Sequence, residues 1–193
     1  MSRCVTILYE DQLDGDLRGY GPHALVTQCL ADRRGFERWV LKPRLDSLPR
    51  KGNGNVLRDC RQNFRRLSSR GPVFAVYDDD KIRELIKLPH QACKTQVTAY
   101  LRKDCAAAES LVIVLLERNL ETVIETIFAI EPNIRPEEVR VRAIEQKNLT
   151  DRDTIFKAAA APDKRRLRDD LLERMPSLRR LVEKIDEALG PLA

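Results

Sequence analysis

Aromatic side chains are scarce in this chain: five phenylalanines, four tyrosines and one tryptophan among 193 residues. That is too few for the stacking platforms on which single-strand binders lay successive bases. Histidines number two, His23 and His90, and neither has a histidine or cysteine at ligand spacing. The five cysteines (Cys4, Cys29, Cys60, Cys93 and Cys105) are scattered, odd in number and never form a CxxC pair. Zinc centres and disulfide frameworks are therefore not expected, and a reducing cytoplasm is the expected setting. No apolar run approaches the ~18 residues that a bilayer span needs. The opening MSRCVTILYEDQ has too short an apolar stretch for a signal peptide, and that stretch ends in acid. No GxxxxGK[ST] phosphate loop occurs, so any ATP the process needs is expected to be handled by a separate protein. Zinc-finger spacing, a helix-turn-helix signature and an aromatic RNA-binding motif are also missing, which leaves sequence-specific reading of nucleic acid without support.

What is present is charge and a modest apolar fraction. Charged residues make up 34% and hydrophobic residues 42%, with a net charge of +5. This fits one domain of ordinary size with a helical appendage. The basic excess permits a phosphate-bearing partner without requiring one.

Along the chain, CVTILY (4–9) is β-branched and apolar and ends at Glu10, the pattern of a buried strand. HALVTQCLADRRG reads as a helix. FERWVLKP reads as a second strand stopped by Pro43, followed by a loop carrying KGNGN. NVLRDCRQNFRRLSSR reads as one helix, with Val56, Leu57, Cys60, Phe64 and Leu67 on its apolar face. GPVFAVY is a third strand, DDDKIRELIKL a short helix, QACKTQVTAYLRKDC another, and SLVIVLLE (110–117) a fourth strand. RNLETVIETIFAIEP and everything after Arg135 read as helices. In the last of these, Leu178, Leu181, Val182, Ile185 and Leu189 form an amphipathic stripe. Short apolar strands separated by helices predict an α/β domain with about four mainly parallel strands flanked by helices. The expected division is an α/β domain over 1–133 and a helical carboxyl-terminal extension over 134–193 packed on it.

Right-handed crossovers place the carboxyl ends of parallel strands along one edge, where ligands of such sheets bind. Glu10 ends the first strand and Asp78 the third, so the two acids are expected to meet there if the strands are neighbours. Within Asp78-Asp79-Asp80, the first and third can face the crevice with Asp79 turned elsewhere. Carboxylates gathered in a partly dry pocket repel unless a cation arrives or one takes a proton. A magnesium ion, a hard cation bound through one or two carboxylates and substrate phosphates, is one answer. Helix capping is the other, since acids opening a helix suit its dipole. Asp14, Asp16 and Glu84 lie close in sequence to these positions. Arg58, Arg61 and Arg65 share a helix face after KGNGN and are either a contact for a phosphate backbone or a solvated surface. The arginine-rich stretch 164–180 is read the same way, with surface ion pairing to its interleaved Asp169, Asp170 and Glu173 or a partner-binding helix as the alternatives.

A strand ending in glutamate followed by a strand ending in DxD resembles the Toprim domain of topoisomerases, primases and the overcoming-lysogenization-defect nucleases. ILYEDQLDGD carries the first motif through Glu10, and VFAVYDDD the second through Asp78 and Asp80. Asp11 stands where the family more often has glycine, and Asp14 stands where the nuclease branch commonly has another acid. KGNGNVLRD is similar to a glycine-bearing loop and helix in small standalone Toprim-like bacterial proteins. The resemblance covers roughly residues 3 to 130 and implies Mg²⁺ or Mn²⁺ bound by Glu10, Asp14, Asp78 and Asp80 for phosphodiester cleavage. It extends to Glu117 and Glu121 as acids near a second metal, with pairing to Arg118 or simple exposure as the alternative for Glu117. It also points to Lys147 as a late lysine, one among many. It further implies a nuclease acting on nucleic acid, DNA first, as one half of a bacterial anti-phage defence system. The other half would be a partner ATPase, and the helical carboxyl-terminal quarter would dock that partner or a second copy. A Toprim-like scaffold that regulates its partner without catalysis is the alternative.

Overall fold

The computed structural model describes residues 4–10, 21–50, 52–89, 91–103, 105, 110–116 and 120–191. Four strands, β1 (Val5–Tyr9), β2 (Leu45–Pro49), β3 (Val73–Asp78) and β4 (Leu111–Leu116), pair in the order β2-β1-β3-β4. All three pairings are parallel. Parallel strands need crossovers, and helices supply them. Between β1 and β2 run α1 (Gly21–Arg34) and the single turn α2 (Arg38–Leu41). Between β2 and β3 run α3 (Asn53–Gln62) and α4 (Phe64–Ser68). Between β3 and β4 run α5 (Asp79–Leu85) and α6 (Lys94–Arg102). After β4 come α7 (Leu120–Ile130), α8 (Glu137–Ile144), α9 (Leu149–Ala159), α10 (Arg165–Arg174) and α11 (Pro176–Leu189). The expected α/β class, parallel sheet and helical tail are present. Among the described residues no helix is long and apolar enough to cross a membrane.

Strand alternation divides the core between two layers. Val5, Ile7, Tyr9, Phe74, Val76, Val114 and Leu116 turn toward one layer, with Leu25, Ile124, Phe156, Leu171 and Ile185 from α1, α7, α9, α10 and α11. Leu8, Val73, Ala75, Tyr77, Leu111 and Leu115 turn toward the other, with Val56, Cys60, Phe64, Ile82 and Val97 from the crossovers α3 to α6. Every residue of β1 and β3 is buried, as expected of central strands covered on both faces. The tail helices share their apolar cluster with the sheet, and the stripe foreseen on 178–189 is buried there.

Two local readings are corrected. FERWVLKP is not a strand: Arg38–Leu41 is helical, Lys42–Arg44 is a 3-10 turn, and Trp39 stays 70% exposed. The strand is LDSLP, immediately after it. LDSLP is only weakly apolar, but an edge strand paired on one side tolerates that, and its proline sits at the edge strand's end. The long arginine helix is broken at Asn63, whose Nδ2 donates to Asp59 Oδ1 at 2.9 Å, giving α3 and α4. At Gly21 a Cβ would lie 2.9 Å from the Phe156 Cβ, and at Gly71 the conflict is closer still. Gly71, at φ 150°, opens β3 so close to the first strand that a Cβ would lie 2.3 Å from the Cys4 carbonyl oxygen.

Guanidinium groups tie the helical layer together. Arg168, completely buried on α10, donates to Asp32 of α1 at 2.6 Å and to the carbonyls of Ala159 and Ala161 at 2.8 and 2.6 Å. Arg34 donates to the Asp186 carbonyl at 2.7 Å and the Gly190 carbonyl at 2.9 Å. Arg168→Met would leave Asp32 without its cation and three bonds unmade. Urea unfolding should show a loss of about 3 kcal/mol, while Lys184→Met, at a half-exposed pair, should cost well under about 1 kcal/mol.

Candidate functional site

β1 and β3 are hydrogen-bonded neighbours, so the residues that end them share one edge. Glu10 follows β1, and Asp78 is the last residue of β3. Both carboxylates reach the same cation, the ammonium of Lys81. Its Nζ lies 2.8 Å from Asp78 Oδ2 and 3.4 Å from Glu10 Oε1. The Asp78 side chain is 4% exposed, that of Glu10 13% and that of Lys81 38%. Partial burial works against the ammonium. The hydrogen bond and charge of Asp78 outweigh it, aided by Glu10 and then Glu121, and hold the group above its ordinary lysine value.

Glu121 joins from the strand on the far side of Asp78. It lies in the first turn of α7, just past the carboxyl end of β4. Burial pushes its carboxyl up, but its own backbone N–H, Arg152 and Lys81 together bring it below the ordinary glutamate range. Oε1 accepts from Arg152 Nη2 at 2.5 Å, and Arg152 is itself anchored by donating to the Ala143 carbonyl at 2.8 Å. Oε2 is buried with no hydrogen-bond partner. The edge thus holds Glu10 and Asp78 on Lys81, with Glu121 on Arg152 near enough for its charge to act on the ammonium.

The aspartate triplet divides into three roles. Asp78 faces the crevice. Asp79 turns away and pairs with Arg83 Nε at 2.7 Å. Asp80 is exposed, and its Oδ1 accepts the Lys81 backbone N–H at 2.8 Å instead of joining Asp78 on the ammonium. Strand alternation would have put residues 78 and 80 on one side, but α5 begins at Asp79. From there the chain turns by helical steps, and the neighbour of Asp78 becomes the residue three positions on. Lys81 was therefore missed by strand reasoning; the DDDK spacing on a helix start was the signal for it. Arg152 carried no local signal at all, since 31 residues separate it from Glu121.

The remaining expected residues fall as follows. Asp14 and Glu117 lie outside the described residues. Glu84 is exposed on α5. Arg58 is exposed, Arg61 partly so, and Arg65 is exposed on α4. A crossover helix starts at the carboxyl edge and runs back along the sheet at 1.5 Å per residue, so this arginine row leads away from Glu10 and Asp78. Lys147 is exposed in the turn between α8 and α9 with φ 52°. The end of α3 nearest the acids is instead the glycine loop. Gly52, at φ 84°, donates its N–H to the Glu10 carbonyl at 2.9 Å, and Arg50 donates to the Tyr9 carbonyl at 2.7 Å. Asn53, next in line, is buried with neither amide atom hydrogen-bonded. Among the described residues, no three of histidine, cysteine, aspartate and glutamate stand close enough together to form a ready-made metal cage.

No family model matches the chain, and neither curated proteins nor solved structures contain a significant match to it.

Two predictions follow from the site and its support. Lys81→Met removes the ammonium that Glu10 and Asp78 share. It should cost about 1–2 kcal/mol at pH 7 by urea denaturation, scaled down for the exposure of the ammonium, and Lys81→Arg should restore most of it. His23, edge-to-face with Tyr9 at 6.2 Å, is pushed down to about 4 by burial and by Arg38. It is neutral when folded but binds a proton when unfolded below the ordinary histidine value. Its contribution is therefore complete above about pH 6.5 and is lost as pH falls toward 4. The stability gap between the native protein and His23→Gln, measured across that window, should shrink as the pH is lowered.

Proposed function

We propose that the protein is a Toprim-like, metal-dependent phosphodiesterase acting on nucleic acid, with Glu10 and Asp78 as its central carboxylates. What supports this reading is the convergence of those two side chains, from adjacent parallel strands, on one positive charge at the ligand-binding edge of the sheet. The donor chemistry fits a hard divalent ion. Carboxylate oxygens are its preferred ligands, and the buried Glu121 Oε2 is a hard donor without a partner. Mg²⁺ or Mn²⁺ would be held by Glu10 and Asp78 with Glu121 beside them, and Asp14 and Asp80 remain the family-derived additions. When bound, the metal would supply Lewis-acid stabilisation of charge at phosphorus. Lys81 would hold the two carboxylates together, and its ammonium would offer a hydrogen bond to a phosphate oxygen. Arg152 would hold Glu121 in place and keep it charged. DNA is the proposed substrate class, and a partner ATPase in an anti-phage system the proposed context. Both rest on the motif resemblance.

A second reading is favoured by one observation. The carboxylates already share a counter-cation in Lys81, which balances part of their charge without metal. On that reading the protein is a Toprim-like scaffold that regulates a partner.

Titration calorimetry with Mn²⁺ separates the two. The phosphodiesterase reading expects saturable heat that is lost in Asp78→Asn, and Mn²⁺-dependent nicking of plasmid DNA that falls by at least about 100-fold in the same variant while its thermal unfolding stays cooperative. Absence of both heat and nicking in the native protein would leave the scaffold.

A further inference from the structure

The two edges of the sheet are finished differently. β2 ends in Pro49 and carries Asp46, whose carboxylate is 4.0 Å from the Arg70 guanidinium. Proline and charge on an edge discourage further pairing. β4, at the opposite edge, is LVIVLL, with neither. Beside it lies a groove of about 640 Å³, walled by α6 and α11 and lined by the strand itself.

The β4 backbone faces this groove. Arg102 Nη2, from α6, donates to the Leu111 carbonyl at 3.0 Å. That carbonyl therefore points away from β3. Alternation along the strand turns the N–H and C=O of Ile113 and Leu115 the same way. Among the described residues no fifth strand lies there, and no described backbone group bonds to them on that side.

The walls carry one sign of charge. Lys94 and Arg102 stand on α6, and Arg180 and Lys184 on α11, with no carboxylate among the described residues that line the groove. Lys184 is partly balanced by Glu187 at 2.7 Å; Arg180 is exposed. A second copy laying its own β4 here would bring cations against cations, so self-pairing is opposed. An acidic strand would meet favourable charge on both of its faces.

We propose that the groove accepts an extended acidic segment of a partner protein, which adds as a fifth strand to β4. Its backbone would bond Ile113 and Leu115, and its carboxylates would meet the cations of α6 and α11. The groove lies along the flank of β4 and uses none of Glu10, Asp78, Lys81 or Glu121, so this docking stands apart from the metal reading.

The test is fluorescence anisotropy on the full chain with a labelled octapeptide in which aspartate and glutamate alternate with valine and threonine. Saturable binding is expected. It should weaken at least about tenfold in Lys94→Glu/Arg180→Glu, a pair of exposed sites, one on each wall. Of two peptides N-methylated at alternate residues in opposite phase, one should lose binding and the other keep it, because only one set of amides faces β4. The proposal is overturned by any of four outcomes: no saturation up to about 1 mM peptide; equal binding of both methylated forms; equal binding of a lysine-for-acid peptide; or, with no peptide bound, oligonucleotide binding or dimerisation that the double variant abolishes.

Discussion

The parallel pairing of β1 with β3 is the constraint on which the rest of the molecule depends. Parallel neighbours cannot be joined by a tight turn, so each connection must cross a face of the sheet, and helices on both faces follow. The same pairing sends the two strand ends to one edge. Glu10 and Asp78 are neighbours because their strands run the same way side by side. Had β3 run antiparallel to β1, the same residues would have ended at opposite edges, and no shared charge could have formed.

Bringing two acids together creates an electrostatic demand, and the protein meets it from within. Lys81 reaches both carboxylates because a helix starts immediately after Asp78 and brings the side chain three residues on back over the strand end. Glu121 is held in the same way, by Arg152 from a distant helix. The arrangement places a positive charge beside each acid in a partly dry setting. It explains how the fold tolerates the cluster without a bound metal.

Much of the basic excess serves the protein's own architecture. Arg168, Arg152 and Arg34 are consumed by carbonyls and carboxylates inside the helical layer. Arg58 and Arg65 are exposed on a crossover that leads away from the acids. Net charge alone was therefore a poor guide to where a phosphate would bind. Lys94, Arg102, Arg180 and Lys184 line a concave surface that flanks the β4 edge of the sheet.

The fold class was legible because burial leaves a trace: CVTILY, PVFAVY and LVIVLL are almost wholly apolar, as strands covered on both faces tend to be, and 178–189 carries a helical stripe. The edge strand LDSLP was not, since only its end residues Leu45 and Pro49 are buried, and the more apolar FERWVLKP masked it. At the site, Glu10 and Asp78 could be read from their positions at strand ends. That Asp80 would look outward and Lys81 inward depended on where α5 begins, a backbone choice of one residue that changes every direction after it. Sequence by itself determined which segments must be buried and which acids end them, because burial and strand polarity are local properties. Only the tertiary structure decided which cation those acids share, since contacts such as Arg152 with Glu121 join residues that nothing in the linear order connects.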